Sequence, residues 1–86
     1  MTQSEKLLSK NQLRWACRRG MLELDLLLGD FFDHCFDELP ENEKYVFQNL
    51  LSESDQTLLG YFMGHEIPKN RETLNVVEKI RGATTA

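Results

Sequence analysis

Trp15-Ala16-Cys17-Arg18-Arg19-Gly20-Met21-Leu22-Glu23-Leu24-Asp25 joins two helical patterns of opposite charge. Upstream, residues 1–21 carry Lys6, Lys10, Arg14, Arg18 and Arg19 against Glu5 alone. Downstream, residues 22–43 carry Glu23, Asp25, Asp30, Asp33, Asp37, Glu38, Glu41 and Glu43, with no Lys or Arg. The remainder is balanced, so the net charge of −4 conceals a basic segment hinged at Gly20 to an acidic one. Cations suit the last turn of a helix and anions the first, which is the order found here. Gly20 is expected to close the first helix in the left-handed C′ conformation, where a residue without Cβ is favoured.

Working outward, residues 5–19 read as helix one, with Leu13, Ala16 and Cys17 at core spacing and Leu8 and Trp15 on an adjacent strip. Lys6, Lys10, Arg14 and Arg18 repeat every fourth residue. Like charges at that spacing cost an isolated helix about 0.2–0.5 kcal/mol per pair, so the stripe requires acidic neighbours or a partner. Helix two runs from about 23 to 36, with Leu24, Leu27, Leu28, Phe31, Phe32 and Cys35 on a wide apolar face. Gly29 within it suits a close contact or a slight bend. Pro40 suits an N-terminal position of helix three, whose apolar side is Tyr45, Val46, Phe47, Leu50 and Leu51. Ser54 or Asp55 caps helix four, which carries Leu58, Leu59, Phe62 and Met63 and ends near Gly64. Asn70 caps helix five, with Leu74, Val77 and Ile80 at i+3 spacing and Gly82 closing it. No stretch alternates with period two. The expected fold is all-α: a compact five-helix bundle.

Eighty-six residues make one domain, 1–86, ordered over about 5–81, with a frayed tail at 83–86. A chain this short buries about 60–65% of its extended surface, enough for one small core. No apolar run approaches the roughly 20 residues that span a bilayer. Met1–Lys10 has no secretory h-region. The expectation is a soluble, cytoplasmic monomer with reduced thiols.

Candidate chemistry is sparse. Cys17, Cys35, His34 and His65 could ligate a metal, but none falls in C-x-x-C or H-E-x-x-H spacing. Core cysteines and surface histidines are the simpler reading, and no metal is expected. Cys17 beside two arginines could have a lowered pKa, yet its periodicity turns it toward the core. No nucleophile elbow, P-loop or dinucleotide fingerprint is present, so no catalytic residue and no bound cofactor are expected. The basic stripe could attract nucleic acid, but the acidic stretch beside it would repel a phosphate backbone. What remains is the Arg19-Gly20-x-x-Glu23 corner. It could be purely structural. It could also present a guanidinium fork and a carboxylate side by side, with Trp15 as an aromatic anchor.

The block Trp15-Ala16-Cys17-Arg18-Arg19-Gly20-Met21-x-Glu23-Leu24-Asp25 resembles the signature of the SdhE family, small assembly factors for flavinylation of succinate dehydrogenase. The core of that signature is R-G-x-x-E, matched by Arg19, Gly20 and Glu23. The likeness extends through Phe31-Phe32, Glu43-Lys44, Phe47, Leu50-Leu51, Asp55, Leu58 and Pro68, roughly residues 9–81. A tryptophan usual in the family's fourth helix is replaced by Tyr61. The resemblance implies a five-helix bundle without catalysis of its own. Its implied partner is the flavoprotein subunit of succinate dehydrogenase or fumarate reductase, whose covalent FAD attachment it promotes. No nucleic acid, no membrane insertion and no FAD held by the chain itself are expected. Partner-binding residues implied by motif and position are Arg19, Gly20, Glu23, Trp15, Arg18 and Asp25. The alternative is a small helical regulatory protein acting by protein–protein contact, such as an antitoxin.

Overall fold

Ser9 opens the first helix. Its hydroxyl accepts the Gln12 N–H at 3.2 Å, and Gln12 Oε1 accepts the Ser9 N–H at 3.0 Å, a reciprocal capping box. The computed structural model describes residues 7–83. The expected helical start at residue 5, Lys6 of the basic stripe and the tail beyond 83 lie outside the described residues. Ala83 is still helical.

The helices are α1 (Lys10–Ala16), α2 (Leu22–Cys35), α3 (Glu41–Leu50), α4 (Asp55–Met63) and α5 (Arg71–Ala83). A single 3-10 turn, Phe36–Glu38, follows α2, and no strand occurs among the described residues. The all-α, five-helix expectation therefore holds. Helix α1 is shorter than expected at its C-terminal end too. It closes on Cys17, whose N–H reaches the Leu13 and Arg14 carbonyls at 3.1 and 3.2 Å. Gly20 lies beyond the helix, and its φ is not positive. Among described residues the one left-handed glycine is Gly64, at φ 82°. Gly64 ends α4 in a Schellman motif, with His65 N–H on the Gly60 carbonyl at 2.8 Å and Gly64 N–H on Tyr61 at 3.2 Å. Ser54, rather than Asp55, caps α4 by accepting the Thr57 N–H at 3.1 Å. Asn70 Oδ1 caps α5 on the N–H groups of Glu72 and Thr73.

Phe47 is fully buried near the centre of the core, its ring 5.7 Å from Phe31 and 5.4 Å from Phe36. Each such ring pair contributes about 0.5–1.5 kcal/mol beyond simple burial. Leu13 and Cys17 bring α1 to this core, Leu24 and Leu28 bring α2, and Leu58 and Phe62 bring α4. Helix α5 packs against α2, α3 and α4, which is why Val76 is buried beside Val77 and Ile80. Phe36 and Leu39 join the core because the 3-10 turn tightens the winding and turns them inward, a shift that α-helical periodicity does not foresee. Met63, expected on the apolar side of helix four, is exposed. The radius of gyration is 12.2 Å, against about 12 Å for a compact domain of this length.

Candidate functional site

The basic stripe of α1 zips antiparallel along the acidic α2. Lys10 pairs with Asp37 at 2.6 Å, and Arg14 grips Asp33 through Nε at 3.0 Å and Nη2 at 3.3 Å. The Lys10 ammonium holds the Asp37 carboxyl below the usual carboxylate range, chiefly by its hydrogen bond. Both pairs are exposed and screened by solvent, so they set register more than stability. Gly29 eases the approach, since a Cβ there would stand 3.2 Å from an Arg14 guanidinium nitrogen and the side chain would have to give by a few tenths of an ångström. The intramolecular reading of the stripe is thus correct for its first two described rungs. The third rung differs. Arg18 lies beyond Ala16, the last residue of α1, and forms no ion pair among the described residues. Arg18 instead lies over the Trp15 ring, 5.1 Å from its centroid.

Arg19 turns the other way. Its Nε meets Asp55 Oδ1 at 2.8 Å, Nη1 donates to the Leu51 carbonyl at 2.7 Å and the Ala16 carbonyl at 3.3 Å, and Nη2 donates to the Glu53 carbonyl at 2.6 Å. One guanidinium thereby joins the end of α1, the end of α3, the following turn and the start of α4. The carbonyls past a helix C-terminus lack intrahelical partners, and the planar five-donor fork satisfies several at once. With Ser54 serving as cap, Asp55 is free for this role. Its Oδ2 also accepts the Gly20 N–H at 3.2 Å. The Arg19 guanidinium, by its hydrogen bond first and aided by Gly20 N–H, holds the Asp55 carboxyl below the usual range against the opposing effect of burial. Asp25 completes the brace by accepting the backbone N–H of Arg19. These tertiary bonds draw the chain off the α1 axis, so Gly20 needs no left-handed turn.

The outer side of the same corner is bare. Trp15 is 70% exposed, Leu22 68% and Leu26 62%. Leu22 and Leu26 share one stripe of α2 with Gly29 and Asp33. Glu23 is exposed next to them in the first turn of α2, where the helix dipole favours its charge. Asn11, Arg14, Trp15 and Arg18 line a shallow depression on the α1 side.

A family model described as "Flavinator of succinate dehydrogenase" matches residues 11–84. The chain belongs to this family, the SdhE family. It is 50% identical over 72 residues to the FAD assembly factor SdhE of Legionella pneumophila (strain Paris), covering 84% of this chain and 90% of that one. The SdhE of Idiomarina loihiensis is 46% identical over 78 residues, covering 90% and 87% respectively. The SdhE of Coxiella burnetii is 44% identical over 78 residues, covering 91% and 94%.

In this SdhE-family chain the six residues singled out from sequence divide. Trp15, Arg18 and Glu23 face solvent, and Gly20 is exposed between them. Arg19 and Asp25 face inward, which corrects the expectation of an exposed Arg19 fork beside Glu23. The Arg19 side chain is only 14% exposed. Asp55 as the receiver of Arg19 was unreadable from sequence, because it lies 36 residues away. Leu22 and Leu26 were readable, as leucines out of phase with the core face of α2. Cys17 is fully buried, and burial pushes its thiol up to about 11 despite Arg14 and Arg19 nearby. That bears out the core reading of Cys17 over the lowered-pKa alternative and leaves a packing residue. Among the described residues, no group of three His, Cys, Asp or Glu could hold a metal ion. No described helix is long and apolar enough to cross a membrane. Tyr61, at the position of the missing tryptophan, packs half-buried against the core.

Proposed function

We propose that this chain is a non-catalytic cytoplasmic assembly factor. It binds the flavoprotein subunit of succinate dehydrogenase as a monomer and promotes covalent attachment of FAD to it, holding no FAD itself. Family membership supports the role, and the relatives carry it in their names. The observation that carries the proposal to particular residues is the exposed Trp15–Arg18–Glu23 surface built on the Arg19 brace. A rigid corner can hold a mobile partner in a reactive arrangement, and orientation alone lowers barriers by several kcal/mol without proton transfer by the helper. The burial of Cys17 with its raised pKa is consistent with that division of labour. The core phenylalanines pack against one another rather than lining a slot for a flavin ring.

Co-expression with the flavoprotein subunit tests the proposal, with fluorescence of the denatured subunit reporting covalent flavin. A fluorescent band that depends on the wild-type chain and fades with Glu23→Ala is the expected result. Equal fluorescence with and without the chain would overturn the assembly role. A yellow stoichiometric complex between the purified chain and FAD would overturn the cofactor-free part alone.

A further inference from the structure

A separate cavity of about 270 Å³ opens between the end of α2, the 3-10 turn and α5. Its lining is Phe31 and Cys35 of α2, Glu38 of the turn, Leu39 and Lys79 of α5. Phe31 and Leu39 are core residues, 2% and 7% exposed, that each show the cavity a small apolar face. Half-buried Cys35 joins them. The two charged residues of the lining have opposite signs but do not pair with each other. Lys79 gives its ammonium to Glu43, whose side chain is only 13% exposed. An ammonium has three donors, so others are left for a ligand. Glu38 forms no ion pair among the described residues. It follows the C-terminus of α2, where the helix dipole favours a cation, and no lysine or arginine stands in that last turn. We infer that this cavity binds a small apolar α-amino acid as its zwitterion. The side chain rests on Phe31, Cys35 and Leu39, the ammonium meets Glu38, and the carboxylate accepts from Lys79. Charge complementarity selects this occupant. A simple carboxylic acid would bring its charge against Glu38, and a simple amine would leave the spare Lys79 donors without an acceptor. The volume lies just under the roughly 300–1,000 Å³ of drug-sized sites, which suits a molecule as small as leucine. The site uses none of the residues of the Arg19 corner and is independent of the flavinylation role.

Titration of the full chain with L-leucine, followed through its backbone amide NMR signals, tests this. The expected shifts centre on residues 31–39 and 79 and saturate with a Kd of about 1 mM. L-Leucinamide lacks the carboxylate and 4-methylpentanoate lacks the ammonium, so each should bind about tenfold more weakly than leucine. Glu38→Gln should weaken leucine binding about tenfold with an unchanged melting temperature, because Glu38 is exposed. The same variant should also narrow the preference for leucine over 4-methylpentanoate, a change of selectivity that a packing role would not produce. Alkylation with N-ethylmaleimide gives a second readout. Cys35 is accessible and Cys17 is fully buried, so only Cys35 should react, leucine should slow that reaction, and the alkylated chain should no longer bind leucine. No shift at about 20 mM leucine, far above the expected Kd, would overturn the inference. So would equal binding of either singly charged analogue, and in both cases the assembly role stands.

Discussion

Arg18 and Arg19 are neighbours in the chain and opposites in the fold. Arg19 spends its donors on three backbone carbonyls and Asp55, and little of it meets water. Arg18 lies on an exposed indole with no carboxylate of its own among the described residues. The inner side of the corner is therefore scaffold, and the outer side is left open for the proposed contact. A motif such as R-G-x-x-E then mixes two kinds of residue. Loss of function on substituting one of its members does not by itself reveal which kind has been lost.

The largest effect should come from the inner side. Arg19→Ala removes the donors of the Leu51 and Glu53 carbonyls and leaves Asp55 without its cation. The expected cost is about 2–3 kcal/mol, since hydrogen bonds involving a charged group are the stronger kind. In a domain of this size that lowers the melting temperature by about 10 °C or more. Arg19→Lys should recover little, because an ammonium cannot span acceptors spread around a planar fork. A thermal melt followed by circular dichroism decides it; an unshifted midpoint would erase the contrast between the two arginines. Next comes the outer side. Glu23→Ala should lower covalent flavinylation several-fold while stability moves within about 0.5 kcal/mol, as for an ordinary surface change. Equal loss of stability and activity in that variant would make the outer side structural too.

Acid sharpens the comparison further. The folded Asp55 carboxyl titrates below its unfolded value of about 3.9, so its contribution is full above that pH and disappears as pH falls through the depressed folded value. Asp55→Asn should accordingly flatten the loss of stability below about pH 4. An unchanged acid limb in urea titrations at pH 3 and pH 6 would contradict the assignment. The smallest effect belongs to Gly20→Ala. Its φ is not left-handed, and a Cβ would stand an ordinary 3.6 Å from Asp55 Oδ2. The melt should therefore shift by no more than about 0.5 kcal/mol. A large destabilisation would restore the left-handed turn that the sequence suggests.

Local signals in the sequence were reliable wherever local forces decide. The five helices follow from apolar spacing, and the caps at Ser54, Gly64 and Asn70 are local hydrogen-bonding devices. Ser9 and Gln12 form a legible S-x-x-Q capping box, which the apolar pattern running back to residue 5 obscured. Phe36, Leu39 and Val76 were missed for non-local or non-α reasons: a 3-10 turn that changes the winding, and a helix covered on three sides. The end of α1 was misplaced because residues 51–55 and Asp25 decide the course of the chain at Arg19, and no window around Gly20 contains all of them. The outer face of the corner was legible as residue types. The inner face existed only in three dimensions.

The Arg19 clasp also imposes an order of events. Its acceptors at Leu51, Glu53 and Asp55 lie 32, 34 and 36 residues downstream. During N-terminal-first synthesis, Trp15, Arg18 and Glu23 all emerge well before the groups that hold their corner in shape. A nascent or truncated chain ending before α4 carries every outward-facing residue and none of the brace. The braced corner therefore exists only once the far half of the chain has folded back onto it, so under the proposed function finished copies alone would present it to a client.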